Sequence, residues 1–165
     1  MSGPGLGHLA RRFFGMLRPG GPAPADDAWA VGHLLGGEVG LWRRMSGADR
    51  RHAVGVARRV AIALGQEASR PVLAAALLHD VGKIDAAIGP FRRVVATVAA
   101  GALGRNRLAS GTGRYARYLR HDVIGGELLA AAGSDPLTVA WAAEHHRPPE
   151  QWTVAPAIAR ALKAA

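Results

Sequence analysis

Five of the seven histidines in this chain stand at or near the ends of predicted helices, where each is flanked by apolar turns. Imidazole nitrogens and carboxylate oxygens are ligands that Mn, Fe, Co, Ni and Zn accept in proteins. Facing helices of a bundle commonly hold such ligands. The sequence has no Cys, which excludes thiolate ligands and disulfides. We therefore expect a divalent-metal site with the candidate ligands His52, His79, His121, His145 and His146.

One of these histidines is followed directly by a carboxylate. His79 and Asp80 are adjacent, and adjacent residues of a helix point about 100° apart, so both side chains reach one ion only where the helix is distorted or ends. Gly82, two residues later, predicts such an end as a left-handed cap. The alternative is a helix-terminal histidine that simply pairs with a neighbouring carboxylate. The dipeptide His121-Asp122 looks alike, but its flanking residues differ.

The elements that position these residues are predicted to be helices throughout. Ala dominates the hydrophobic 49% of the chain and aromatic residues make up only 5%, which favours closely packed helices over strands. A chain of 165 residues is long enough for one domain with one active centre. Helices are predicted from the spacing of apolar residues and from the residues typical of helix ends. Asp26 and Asp27 precede the first helix of the domain, Ser46 and Ser134 are predicted caps, and Pro71 begins a helix. The predicted helices cover about 28–45, 47–64, 71–79, 90–103, 115–119, 123–132, 136–146 and 156–165.

A short basic amphipathic helix is predicted ahead of this domain. Across residues 6–18, apolar residues at helical spacing lie opposite three arginines, and a loop rich in Pro and Gly follows. We therefore divide the chain into residues 1–25 and a helical domain over residues 26–165. The N-terminal helix either packs on its own domain or contacts an anionic membrane or a protein partner.

The net charge indicates the chemistry of the partners. A formal charge of +9 and a pI of about 11.4 predict a surface that attracts phosphate, nucleotides, nucleic acid or acidic lipid headgroups. No basic stripe is interleaved with aromatic residues, so no specific nucleic-acid partner is predicted. No apolar stretch approaches the ~20 residues of a membrane span, and we expect a cytoplasmic protein.

The block around Asp80 resembles a family motif. His52, followed later by Leu-Leu-His79-Asp80-Val-Gly-Lys83, is similar to the first two elements of the H…HD…D pattern of the HD-domain metal-dependent phosphohydrolases. The resemblance extends over about residues 49–146. It implies an all-α, HD-domain-like helical bundle that hydrolyses phosphate monoesters or diesters, often of nucleotides, with divalent metal ions.

Two later elements are similar to the HD-GYP branch of this family and its two-metal relatives. They are His121 with the Ile-Gly and Leu-Leu steps that follow it, and then Glu-His145-His146. By this resemblance one ion is held by His52, His79 and Asp80, and the second metal position is built by His121, His145 and His146.

The resemblance also implies roles in catalysis. Asp80 is the natural bridge between two cations, which at about 3.5 to 4 Å apart could share a bridging hydroxide and stabilise both oxygens of an in-line displacement. The metal is one of Mn, Fe, Mg, Co, Ni or Zn. Lys83 and Arg147 are the cations expected to hold the substrate phosphate, which makes Asp80 and Lys83 the expected catalytic residues. Lys83 could instead interact with carbonyl groups at the preceding helix end.

The chain departs from the family pattern in two places. The family closes its site with an Asp on the final helix, but Glu150 is the only carboxylate residue after His146. That ligand is expected either to lie beyond residue 165 or to be missing. Arg147 with the Pro-Pro-Glu after it replaces the Gly-Tyr-Pro signature, so cleavage of cyclic dinucleotides is not predicted. Neither Glu38 nor Glu144 is expected to bind metal, and both are predicted to be solvated or salt-bridged.

The sequence thus predicts a metal-dependent phosphohydrolase that acts on a nucleotide or another small-molecule phosphoester. Two alternatives stay open. A catalytically degenerate domain could bind metal or nucleotide as a regulatory module, and the N-terminal helix could make the chain a basic adaptor for membranes or nucleic acid. Asp122 could orient a ligand imidazole, or it could lie on the surface.

Overall fold

The computed structural model of the chain describes residues 20–86 and 113–165, and within them it contains helices and turns but no strand. The all-α prediction is confirmed for this part of the chain. The predicted helices over 6–18 and 90–103 lie outside the described residues. The elements are α1 Pro24–Val31, α2 Gly36–Arg44, α3 Gly47–Leu64, α4 Arg70–Leu78, α5 Lys83–Ala86, α6 Arg114–Leu119, α7 His121–Ala131, α8 Pro136–Glu144 and α9 Pro156–Ala164, with 3-10 turns at Gly65–Glu67 and Pro149–Gln151.

Helix α4 is the centre of the core. Its residues 72–78 are apolar on every side and all buried, as expected of a helix surrounded by others. Helices α3 and α8 both pack against it. Burial of each large side chain, such as Leu77 or Leu78, contributes about 1.5–3 kcal/mol. Because α4 is held from several sides, the residues that follow it, His79 and Asp80, have a fixed position.

Helix α3 begins and ends where the sequence predicts. Ser46 is its N-cap, and the Ser46 hydroxyl accepts a hydrogen bond from the Asp49 amide at 3.1 Å. The buried face contains Val56 and Val60 and packs against α4, while α9 lies against another part of the helix. His52 therefore stands on a helix whose ends and core face are both determined by its own sequence.

The prediction of one helix over 28–45 is wrong. The chain turns after Val31, and α2 begins at Gly36, where the Leu35 amide donates to the Glu38 carboxylate at 2.7 Å. Glu38 at the third helical position thus satisfies an amide that the new helix leaves without an intrahelical partner. The Trp42 indole of α2 donates to Asp27 of α1 at 3.0 Å, which ties the two helices together.

The cap predicted for α8 also needs correction. Ser134 is not the cap, because its amide donates to the Leu129 carbonyl and completes the end of α7 after the left-handed Gly133. Asp135 is the N-cap instead, and its carboxylate accepts from the Leu137 amide at 2.9 Å. Pro136 then occupies the first turn of α8, as predicted.

Gly82 has a different role from the one predicted. Its φ is not positive, so it is not a left-handed cap. A Cβ atom at Gly82 would instead overlap the carbonyl oxygen of His121 and lie 2.6 Å from the amide nitrogen of Gly125. A glycine is therefore needed here because the backbone of α7 touches the turn after α4. This contact brings the start of α7 next to Asp80.

Two further predictions concern the domain boundary and membrane-spanning helices. The division of the chain at residue 25 stays a prediction, and α1 begins one residue before it. Among the described residues, no helix combines the length and the apolar character needed to cross a bilayer.

Candidate metal centre

Four helices deliver the six predicted ligands to one place. His52 comes from α3, His79 and Asp80 follow α4, His121 begins α7, and His145 and His146 follow α8. The ligand atoms form two overlapping groups, and within each group they all lie within 4.8 Å of one another. One group contains Asp80, His121, His145 and His146, and the other contains His52, His79 and Asp80.

Asp80 belongs to both groups and lies buried between them. Its Oδ2 atom is 3.3 Å from Nε2 of His79. Its Oδ1 atom faces the other way, at 3.2 Å from Nε2 of His121 and 4.0 Å from Nε2 of His145. Each oxygen of the carboxylate thus faces a different set of imidazoles, which is the arrangement expected of a carboxylate that bridges two metal ions.

Main-chain carbonyls fix the orientation of three of the rings. Nδ1 of His79 lies 2.9 Å from the Ala76 carbonyl, and Nδ1 of His121 lies 2.6 Å from the Tyr118 carbonyl. Nδ1 of His145 contacts the carbonyls at the end of α8 at 3.0 and 3.2 Å. A nitrogen beside a carbonyl must carry the proton, so in each neutral ring Nδ1 donates and Nε2 keeps its lone pair. All three lone pairs point toward Asp80, and this is how metal-binding histidines are held in place.

His145 provides the test of whether a cation fits this site. Its Nε2 atom is buried and has no hydrogen-bond partner among the described residues. Burial, together with the neighbouring His146 and His79, lowers the pKa of His145 to about 3, so the ring is neutral at neutral pH. A buried acceptor without a donor costs free energy, and a divalent ion would remove that cost. The donor set of imidazoles and one carboxylate fits such an ion.

The remaining two rings lie at the edges of the cluster. His146 is exposed, but its Nε2 lies 3.1 Å from Nε2 of His121, and its ring packs on that of His145 with centroids 4.0 Å apart. His52 is half-buried, and its ring centroid lies 5.8 Å from that of His79. The structure therefore brings all six predicted ligands together.

Asp80 and the cations His79 and Lys83 shift one another's ionisation. Burial opposes ionisation of Asp80, but the charges of His79 and Lys83 outweigh it and hold the pKa of Asp80 well below its usual value. Burial likewise disfavours the imidazolium of His79, but attraction to Asp80 outweighs it and raises the pKa of His79. Asp80 is therefore an ionised, acceptor-only carboxylate at neutral pH.

The two predicted phosphate-binding cations are placed differently. The Lys83 ammonium donates to Oδ2 of Asp80 at 2.5 Å, so it lies at the cluster and pairs with a carboxylate rather than with helix-end carbonyls. Arg147 is exposed one residue after His146, and its side chain makes no hydrogen bond or ion pair with the described residues. The prediction that Arg147 binds phosphate stays a prediction.

Comparison with known proteins agrees with this geometry. The family model for the HD domain matches residues 51–165, which is more than half of the chain and includes every residue of the cluster. The chain belongs to the HD-domain family. No curated protein and no solved structure matches it significantly. The similarity to the HD-GYP branch stays a prediction, because the match is to the HD domain as a whole.

A network behind the HD-domain cluster holds the end of α8 in place. The Glu144 carboxylate accepts hydrogen bonds from the amide and the hydroxyl of Thr153, and the Trp152 indole donates to the Glu144 carbonyl. The Lys163 ammonium of α9 donates to the His145 carbonyl at 2.6 Å. Glu144 is thus buried and hydrogen-bonded to Thr153, which corrects the expectation that it is solvated or salt-bridged. It positions the turn that contains His145.

Glu38 was also expected to be solvated or salt-bridged, and the structure supports the second reading. It is fully buried, and its Oε2 atom lies 3.8 Å from the Arg70 guanidinium. Neither it nor Glu144 belongs to the two ligand groups. Asp122 lies outside those groups as well. Its carboxylate accepts from the Val123 amide at 3.0 Å, in the first turn of α7.

Sequence reasoning missed a cavity beside the HD-domain cluster. It has a volume of about 680 Å³, and the histidines His52, His79 and His145 form part of its wall. Arg59 and Lys163 also line it, and neither residue was singled out from the sequence. Helical spacing could have indicated Arg59, because a residue seven positions after His52 lies on the same face of α3. Lys163 reaches the cavity only because α9 folds back on α3.

Proposed function

We propose that this HD domain is a metal-dependent phosphohydrolase that acts on a nucleotide or another small-molecule phosphoester. The observation that carries the proposal is the position of Asp80. One buried carboxylate shares its two oxygens between two groups of imidazoles, and carbonyl hydrogen bonds orient the rings of His79, His121 and His145 toward it. A site for structural support alone does not require a buried imidazole nitrogen without a hydrogen-bond donor, as His145 Nε2 is here.

The residues that would hold the ions follow from the two groups. His52, His79 and Asp80 would hold one ion, and Asp80, His121, His145 and His146 would hold the other. A divalent ion bound there would supply an activated water as nucleophile and neutralise charge on the phosphoryl group. A donor set of imidazoles and one carboxylate accepts Mn, Fe, Mg, Co, Ni or Zn.

The other residues would position the substrate. Lys83 lies at Asp80, and as a protonated amine with three donors it can bind phosphate oxygens at the edge of the cluster. Arg147 follows the last histidine and is free to turn toward an anion. No side chain has to act as nucleophile in this scheme. Burial of Asp80 and of the imidazoles His121 and His145 excludes water from the ligand atoms and strengthens their attraction for cations.

A metal-dependent activity screen tests the proposal. Purified protein would be analysed for bound metal, stripped with chelator, reloaded with Mn²⁺ and offered phosphate monoesters, diesters and nucleotides. Turnover is expected in the reloaded protein and not in Asp80→Ala. The matched control is Asp85→Ala, which removes an exposed carboxylate five residues away and should hydrolyse like the unchanged chain. Bound metal without turnover of any phosphoester would contradict the hydrolase proposal and favour a regulatory binding module.

A further inference from the structure

The two ligand groups of the cluster differ in their number of protein donors. Among the described residues, the three-ligand position consists of His52, His79 and Asp80, and the four-ligand position consists of Asp80, His121, His145 and His146. Zinc ions with four protein ligands are closed off, whereas those with three keep a coordination position for water or substrate. The number of donors therefore predicts that the three-ligand position is the more open of the two.

Burial distinguishes the two positions in the same way. In the four-ligand position, the side chains of His121 and His145 are only 5% and 7% exposed, Asp80 is buried, and His146 is exposed. In the three-ligand position, the side chain of His79 is 14% exposed and His52 is half-buried. Two of three ligands are thus accessible to solvent in one position, against one of four in the other.

The cavity lies against the three-ligand position. Both imidazoles of that position, His52 and His79, line the cavity of about 680 Å³. The four-ligand position contributes only His145 to the wall, and the Nε2 atom of this ring is buried. No Asp or Glu is among the described residues of the wall, whereas Arg59 and Lys163 bring positive charge to it. The wall therefore adds no carboxylate ligand to an ion, and its charge favours an anion as the next ligand.

We propose that the two positions differ in function. The four-ligand position holds its ion tightly, and the three-ligand position holds a weaker ion whose open side faces the cavity and takes the phosphate of the substrate in place of water. Asp80 offers one oxygen to each position, so the difference comes from the imidazoles. This inference rests on the proposed hydrolase function and deepens it, because it names the side of the cluster from which the phosphoester approaches.

Relaxation of solvent water by Mn²⁺-loaded variants tests this inference without requiring turnover. His52→Gln keeps the four-ligand position, and the double variant of His121→Gln with His146→Gln keeps the three-ligand position. Mn²⁺ prefers six ligands, which leaves about three places for water in the double variant and about two in His52→Gln. Relaxation per bound ion should therefore be about 1.5-fold stronger in the double variant, and its Mn²⁺ affinity about tenfold weaker. Inorganic phosphate should reduce the relaxation of the double variant at a lower concentration than that of His52→Gln.

The matched control is His33→Gln, which removes an imidazole between α1 and α2 that belongs to neither position. Thermal melting of each variant establishes that it is folded. In His33→Gln and in the unchanged chain, relaxation per ion should rise after the first equivalent of Mn²⁺, because the tighter position fills first. The inference is contradicted if this rise is absent, if both positions respond equally to phosphate, or if the double variant binds Mn²⁺ more tightly than His52→Gln. Failure of the hydrolase proposal would look different, since the unchanged chain would turn over no phosphoester while the two positions still differ.

Discussion

The two His-Asp dipeptides of the chain have identical residues and opposite uses. In His79-Asp80, the aspartate is buried at the centre of the cluster and both residues belong to a ligand group. In His121-Asp122, only the histidine does, and the aspartate accepts a hydrogen bond from the next amide in the chain. The dipeptide itself therefore does not define a metal site.

The difference comes from the helix end at which each dipeptide lies. His79 follows the C-terminus of α4, where the chain leaves the helix and Asp80 can turn into the core. His121 begins α7, where a carboxylate is favoured by the free amides and the helix dipole and stays at the helix end. The contact at Gly82 then places His121 against Asp80, so one dipeptide completes the site of the other.

The largest expected effect is on Mn²⁺ affinity, and it distinguishes His121 from Asp122. His121→Gln removes a ligand and should lower Mn²⁺ affinity by at least about 100-fold, beyond the roughly 10- to 100-fold typical of outer-shell partners. Asp122→Asn should change the affinity by less than about threefold. Competition against a fluorescent metal indicator would measure both. Equal losses in the two variants would remove the distinction between the dipeptides.

The contact that joins the dipeptides is tested by adding one methyl group. Gly82→Ala forces the backbone of α7 away from the turn after α4 and should destabilise the protein by about 1–3 kcal/mol. It should also weaken metal binding, since His121 moves with α7. Gly40→Ala is the control, because nothing lies within 4 Å of the added Cβ in α2. This control should stabilise the fold by about 0.5–1 kcal/mol. Urea unfolding of both variants would contradict the account if Gly82→Ala is as stable as the unchanged chain.

Protonation of the metal-free cluster should distinguish the histidines. Because the pKa of His79 is raised in the fold, His79 contributes stability below its unfolded pKa of about 6.5, and this is lost as the pH rises through the folded value. The pKa of His145 is lowered to about 3, so stability falls as the pH drops from about 6.5 toward 3. Imidazole NMR resonances should show His79 titrating above 6.5 while His145 stays neutral. Titration of both rings near 6.5 would be inconsistent with this cluster.

The smallest expected effect concerns the start of α7. Asp122→Ala removes a hydrogen bond to an exposed amide and a favourable charge at the helix N-terminus, which together contribute about 0.3–1 kcal/mol. The melting temperature should fall by a few degrees at most, with metal binding retained. Loss of metal binding in this variant would mean that Asp122 supports the His121 ring.

Much of the site was predictable because ligand residues carry their own signals. The histidines and Asp80 that the sequence singles out lie together in the structure, and the cap Ser46 and the first-turn Pro71 mark helix starts as predicted. The break before α2 was not predicted, because Leu35 is not a usual cap and Glu38 supplies the hydrogen bond from three residues further on.

Other features depend on helices that are distant in sequence. The role of Gly82 is visible only once α7 is placed against it. The cavity likewise forms only where α3 and α9 lie side by side, so the position of Lys163 in its wall could not be predicted from the sequence.

The central claim is that one carboxylate serves two groups of imidazoles, and titration of the metal-free protein with Mn²⁺ tests it most directly. Calorimetry should give two ions per unchanged chain. The variants His52→Gln and His146→Gln should each bind one ion, and Asp80→Asn should bind ions much more weakly at both positions. Binding by Asp80→Asn with the stoichiometry and affinity of the unchanged chain would contradict the account.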